Sequence, residues 1–192
     1  DSQGLCFIGK VKLPVFLQQQ LEPKQGKVIE INSQHSTFKY VEDKDLFNPY
    51  KLDENMGNEV GTHNGAHYYT IGQRKGLNIG GTPLPLFIIG TDTVKNIIYV
   101  GQGENHPGLY RNGLSVNKNQ SHWIRNDYKI KVEETQQYDC RIRYRQDLTK
   151  VKISVDNDQL LFSFSESQRG ITPGQFVAWY KNDELIGSAV IN

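Results

Sequence analysis

Short runs rich in β-branched and aromatic residues recur through the second half of the chain, separated by turn residues. Residues 129–133, 140–145, 151–155, 159–164, 175–180 and 184–191 each read as a strand. Six such runs at near-regular spacing predict a small barrel or sandwich. The first half is sparser. Residues 27–31, 86–89 and 96–100 read as strands and 66–71 is β-prone, while 32–44 and 48–64 are polar and turn-rich. The only helical signal is the apolar stripe Val15, Phe16, Leu17 and Leu21, bounded by Pro14 and Pro23. The fold class expected is therefore mainly β in two units, a small central β-rich domain and a C-terminal β-barrel, joined near residues 105–115. The boundaries read as 1–22 for a leading tail with the short helix, 23–112 for the central domain and 113–192 for the barrel.

With 22 basic and 21 acidic side chains the net charge is +1, so any contact with nucleic acid must come from a local patch. No apolar run of about 18 residues and no secretory leader is visible, and the chain is expected to be cytoplasmic with no membrane partner. It opens on Asp1 rather than Met, which reads as a processed or cut product. Its two cysteines, Cys6 and Cys140, have neither the number nor the spacing of a disulfide framework or a zinc knuckle.

Cys6, between Leu5 and Phe7, has two readings: a small buried hydrophobe, or a reactive thiol on a loop that Gly4 and Gly9 let turn sharply. Cys140 reads as structural. Just after it, Arg141, Arg143 and Arg145 would share one face of a strand, since side chains two apart point the same way. Three guanidiniums on one face suit a phosphate backbone, or equally a solvated face neutralised by Asp139 and Asp147. His63 and His67 lack a third ligand for a metal, and no metal is expected. The loop 72–81 holds four glycines with Arg74 and Lys75, yet matches neither a P-loop nor a dinucleotide fingerprint. In "GITPGQ", Pro173 and Gly174 read as a turn before a strand.

Four strings carry a more specific signal. "DSQGLCFIG", "HYYTIGQRKGLNIGG", "RIRYRQ" and "SQRGITPGQFVAWY" occur in the order and approximate spacing found in the tRNA-specific 2-thiouridylases, which the chain resembles from Asp1 to Ile191. The resemblance implies that the C-terminal barrel is like the second domain of translation elongation factors. It implies a reaction in which ATP, with Mg, activates the C2 oxygen of wobble uridine 34 of tRNA and persulfide sulfur replaces that oxygen. The persulfide carrier would be Cys6. The ATP site and a partner cysteine would lie on an N-terminal domain with an S-G-G-x-D-S loop, so the present chain alone is expected to be inactive and to bind no cofactor itself. The tRNA contacts implied are Arg143, Tyr144 and Gln175; "GQRKGLNIGG" is assigned to scaffolding of the central domain, with Arg74 and Lys75 as candidate backbone contacts. A cysteine desulfurase or sulfur-relay protein is the implied sulfur donor. The alternative is a non-enzymatic RNA-binding barrel of elongation-factor type, in which Cys6 is incidental.

Overall fold

The computed structural model describes residues 22–39 and 42–192. It is mainly β, and its described residues divide into two compact units: one built from residues 22–33 and Leu52–Glu104, the other from residues 34–39 and 42–51 and Asn105–Asn192.

The first unit is a four-stranded sheet of β1 (Gly26–Glu30), β2 (Asn58–His63), β3 (Leu86–Asp92) and β4 (Ile97–Gln102), in the order β2-β1-β4-β3. The β1 and β4 strands run parallel in the middle, and the outer pairings are antiparallel. A strand covered on both faces reads as a continuous apolar run rather than an alternation. That is why residues 97–101 of β4 are all buried and why Val28 and Ile29 are buried side by side. Val28, Leu86, Ile88, Ile98 and Val100 form the core with Ala66 and Leu77, which lie outside the strands.

The second unit is a seven-stranded sheet that curls on itself. Its strands are β5 (Tyr110–Asn117), β6 (His122–Trp123), β7 (Thr135–Arg141), β8 (Thr149–Asp156), β9 (Gln159–Arg169), β10 (Phe176–Lys181) and β11 (Glu184–Val190), in the order β5-β9-β8-β7-β10-β11-β6. A bridge between Val116 and Ile191 and a hydrogen bond from Asn192 N to Ser115 O (3.0 Å) return the end of the chain to β5. The inward residues alternate along each strand and meet around Trp179, with Phe162 and Trp123 against it edge-on at ring distances of 5.5 and 5.0 Å. Gly187 is required there: a Cβ would come within 2.4 Å of Trp179 Cζ2. Residues 34–39 and 42–51 pack on the same unit, Phe38 lying edge-on to Tyr50 and His106, and Phe47 O accepting from Arg111 Nη2 (3.0 Å).

Several expected elements differ. Residues 66–71 begin with a 3-10 turn at Ala66–Tyr68 rather than a strand, because Gly65 at φ +140° and Gly72 at φ +86° break extension on both sides. Residues 129–133 form no strand: Ile130 alone is buried, Val132 is exposed, and with no face to bury the run turns. Conversely, β2 forms within the polar stretch 48–64, and β5 begins at Tyr110 within what reads as a turn-rich join. The helix expected around residues 15–21 lies outside the described residues.

Candidate nucleic-acid interface

Cys6 lies outside the described residues, and the geometry of the candidate site is that of Arg143, Tyr144 and Gln175. All three belong to the second unit. The expectation that Arg141, Arg143 and Arg145 share a strand face is not met, because β7 ends at Arg141. The next amide, Ile142 N, donates to the Gln146 side-chain oxygen (3.1 Å) instead of to a neighbouring strand. The three arginines therefore part. Arg141 lies over the Tyr180 ring at 5.3 Å. Arg145 is exposed. Arg143 Nη2 donates to Gly170 O (3.1 Å). Of the two acids expected to neutralise the stripe, Asp139 is engaged by Lys150 Nζ (2.8 Å) and Asp147 is exposed in the loop after β7.

A small polar network fixes this loop. Gln146 Nε2 donates to Gln168 Oε1 (2.8 Å), and Gln168, itself buried, donates from Nε2 to Glu166 O (2.9 Å). Each end of the Gln146 amide is used, which ties the loop after β7 to the end of β9. Gly170 O accepts from Thr172 Oγ1 (3.0 Å) as well as from Arg143, so the "GITPG" turn and the "RYRQ" loop share one carbonyl. Gly170 sits at φ +69°, and a Cβ there would lie 2.1 Å from Arg143 Nη2. Only glycine leaves room for the guanidinium at this point.

Charge accumulates at the same place. Partial desolvation of this largely exposed side chain, and then the nearby Arg169 cation, lower the Arg143 pKa. A guanidinium remains protonated at neutral pH even so, and its cheapest relief is a nearby anion. Gln175 follows the turn, its carbonyl accepting from Ile191 N (2.8 Å). The last pair of the β7 and β10 ladder is Arg141 with Ala178. The chain carrying Arg143 and Tyr144 thus leaves, and the chain carrying Gln175 arrives, at one end of that pair. Tyr144 is 89% exposed there, with its ring held out from the fold.

The other candidates separate from this place. Cys140 points into the core, 1% exposed, and burial pushes its thiol up to about 12, which makes it a packing residue. Arg74 and Lys75 stand exposed on the glycine loop of the first unit, which Leu77 anchors in the core and Gln73 braces through its Nε2 to Lys75 O (2.7 Å). His63 is buried, with Nδ1 accepting from Gly65 N (2.9 Å), and its surroundings lower its pKa chiefly by desolvation. Sequence reasoning passes over Gln146, Gln168 and Gly170 as positioning residues. The strings "RIRYRQ" and "SQRG" contain them, but nothing in a linear string says that one closes onto the other.

These two β units, the second with a cationic and aromatic end, place the chain among proteins built from successive small barrels. Profile comparison finds two matches: residues 49–102 match the tRNA methyl transferase PRC-barrel domain and residues 114–191 the aminomethyltransferase β-barrel domain. The chain belongs to the tRNA-specific 2-thiouridylase family and corresponds to the C-terminal part of its members. It is 47% identical over 204 residues to the tRNA-specific 2-thiouridylase MnmA of Christiangramia forsetii, an alignment covering 100% of this chain and 51% of that relative. Against the proteins of the same name from Karelsulcia muelleri and Halalkalibacterium halodurans it is 45% and 37% identical, covering 100% of this chain and 50% and 44% of theirs. The chain spans about half the length of the curated relatives it matches. No helix among the described residues is long and apolar enough to cross a membrane.

Proposed function

We propose that this chain is the sulfur-delivering and tRNA-holding part of a cytoplasmic tRNA 2-thiouridylase. Arg143 meets the phosphate backbone, and Tyr144 and Gln175 contact bases or ribose, with Arg74 and Lys75 as further backbone contacts. The observation that supports this reading best is that Arg143 and Tyr144 on the one hand and Gln175, distant from them in sequence, on the other stand at one end of the β7 and β10 pair beside a second cation, Arg169.

The chemistry follows from Cys6 as carrier. A cysteine desulfurase or relay protein leaves a sulfane sulfur on Cys6. On the N-terminal domain ATP, with Mg, adenylates the C2 oxygen of uridine 34 and releases pyrophosphate. The terminal persulfide sulfur attacks C2, the C–O bond breaks and AMP departs, leaving uridine joined to Cys6 through two sulfurs. A partner thiolate then attacks the Cys6 sulfur, forming a protein disulfide and freeing the C2 sulfur as 2-thiouridine. An external thiol returns the two electrons that reopen the disulfide.

The test is Cys6→Ser in the full-length protein, supplied with tRNA, ATP and a sulfur donor. Loss of 2-thiouridine formation with tRNA binding intact is expected. Retained thiolation contradicts the carrier role. Tight RNA binding with no thiolation even in the native protein would favour the non-enzymatic barrel instead.

A further inference from the structure

Val177 and Trp179 of β10 are buried, which leaves Phe176, Ala178 and Tyr180 on the outer face. Phe176 is 64% exposed, and its partner across the ladder, Val190, is 37% exposed. Single exposed apolar side chains are ordinary. This pair is set apart by its position. Counting from the last ladder pair, Arg143 lies two residues beyond Arg141 and Phe176 two residues before Ala178. Phe176 therefore begins its strand at the end where Arg143 and Tyr144 leave theirs, directly after Gln175.

Cations outnumber acids near that end: Arg143 and Arg145 stand with Asp147 in the loop after β7, Arg169 is close enough to disturb Arg143, and Arg141 lies over the Tyr180 ring. The carboxylate on β7 itself, Asp139, is engaged by Lys150. A flat apolar ring with a branched aliphatic beside it, at a strand end where cations outnumber acids, fits an occupant that is both polyanionic and flat-faced. An RNA strand with an unstacked base has both properties.

We propose that Phe176, flanked by Val190, is a stacking platform for an unpaired base of the bound RNA, one nucleotide contact away from the phosphate held by Arg143. The proposal rests on the tRNA reading above and adds to it a residue that works without charge. A phenyl ring offers no hydrogen bond, so the platform supplies affinity and position and accepts any base.

The test is tRNA binding to the full-length protein over a salt series, for the native sequence, Phe176→Leu, Phe176→Tyr and Arg143→Ala, with thermal melts to establish equal folding. Phe176→Leu keeps apolar bulk and removes the ring. Its affinity should fall on the order of ten-fold at every salt concentration, with an unchanged salt slope. Phe176→Tyr should restore it. Arg143→Ala should instead flatten the slope by about one. Native affinity in Phe176→Leu alongside a weakened Arg143→Ala overturns the stacking platform and leaves the tRNA reading standing. Phe176→Leu that binds tRNA normally but loses the sulfur-donor protein overturns it in favour of a protein surface. A native protein with no tRNA affinity overturns the tRNA reading itself.

Discussion

Two cysteines in one chain have opposite prospects because a thiol's chemistry is set by what surrounds it. Cys140 is packed on β7 between Tyr138 and Ile142 in the barrel core, away from water and any cation. Burial, and then the Asp139 charge, raise its pKa to about 12. The folded state thus favours the protonated thiol more than the unfolded chain does. That contribution to stability is whole below the ordinary thiol range, near pH 8.5, and is lost as the pH climbs toward 12. Almost no thiolate exists at pH 8, so iodoacetamide should leave Cys140 unmodified in the native protein and label it only after denaturation, as peptide mapping would report. Labelling in the native state at the rate of a free cysteine would contradict the packing role. A sequence gives only the letter: "YDCRI" carries the apolar alternation that hints at burial, whereas "GLCFI" fits a buried and a working cysteine equally well.

At the scale of elements, the candidate interface is a loop closed by side chains rather than by backbone ladders. Gln146 takes the place of a neighbouring strand for Ile142 N, and Gly170 gives up its side chain so that Arg143 can reach its carbonyl. Gly170→Ala should therefore act twice. A residue with a Cβ at φ +69° costs about 1–2 kcal/mol of stability. The new methyl would also occupy the space of the guanidinium and displace it from its carbonyl. The expected outcome is a melting point lowered by a few degrees and a loss of tRNA affinity comparable to that of Arg143→Ala. Unchanged tRNA binding in Gly170→Ala would show that the Gly170 contact does not position Arg143. The strands on either side were legible from their alternation, since β8, β10 and β11 each bury every second residue over most of their length. The loop was not, because a stretch that alternates for six residues gives no sign of where the hydrogen bonds stop.

Across the whole molecule, legibility follows burial. Strands with strong apolar patterns, β1, β3 and β4 in the first unit and most of the second, are visible in the sequence. An edge strand such as β2, and β6 with its two residues, are too polar or too short to be. The excursion of residues 34–51 into the second unit has no linear signal either, because its anchors are single contacts such as Tyr50 Oη donating to Tyr110 O (2.9 Å). Bringing Tyr144 to the same strand-pair end as Gln175 is likewise a product of β7 and β10 pairing across 34 intervening residues, which periodicity cannot foresee. What the four strings add is the proposed chemistry, a sulfur carrier at one end of the chain and RNA contacts at the other. That division of labour is open to one direct measurement: mass spectrometry of the full-length protein after incubation with a cysteine desulfurase and cysteine. The account predicts one added sulfur atom on the Cys6 peptide and none on the Cys140 peptide. An unmodified Cys6 under conditions where the protein goes on to thiolate tRNA would contradict it.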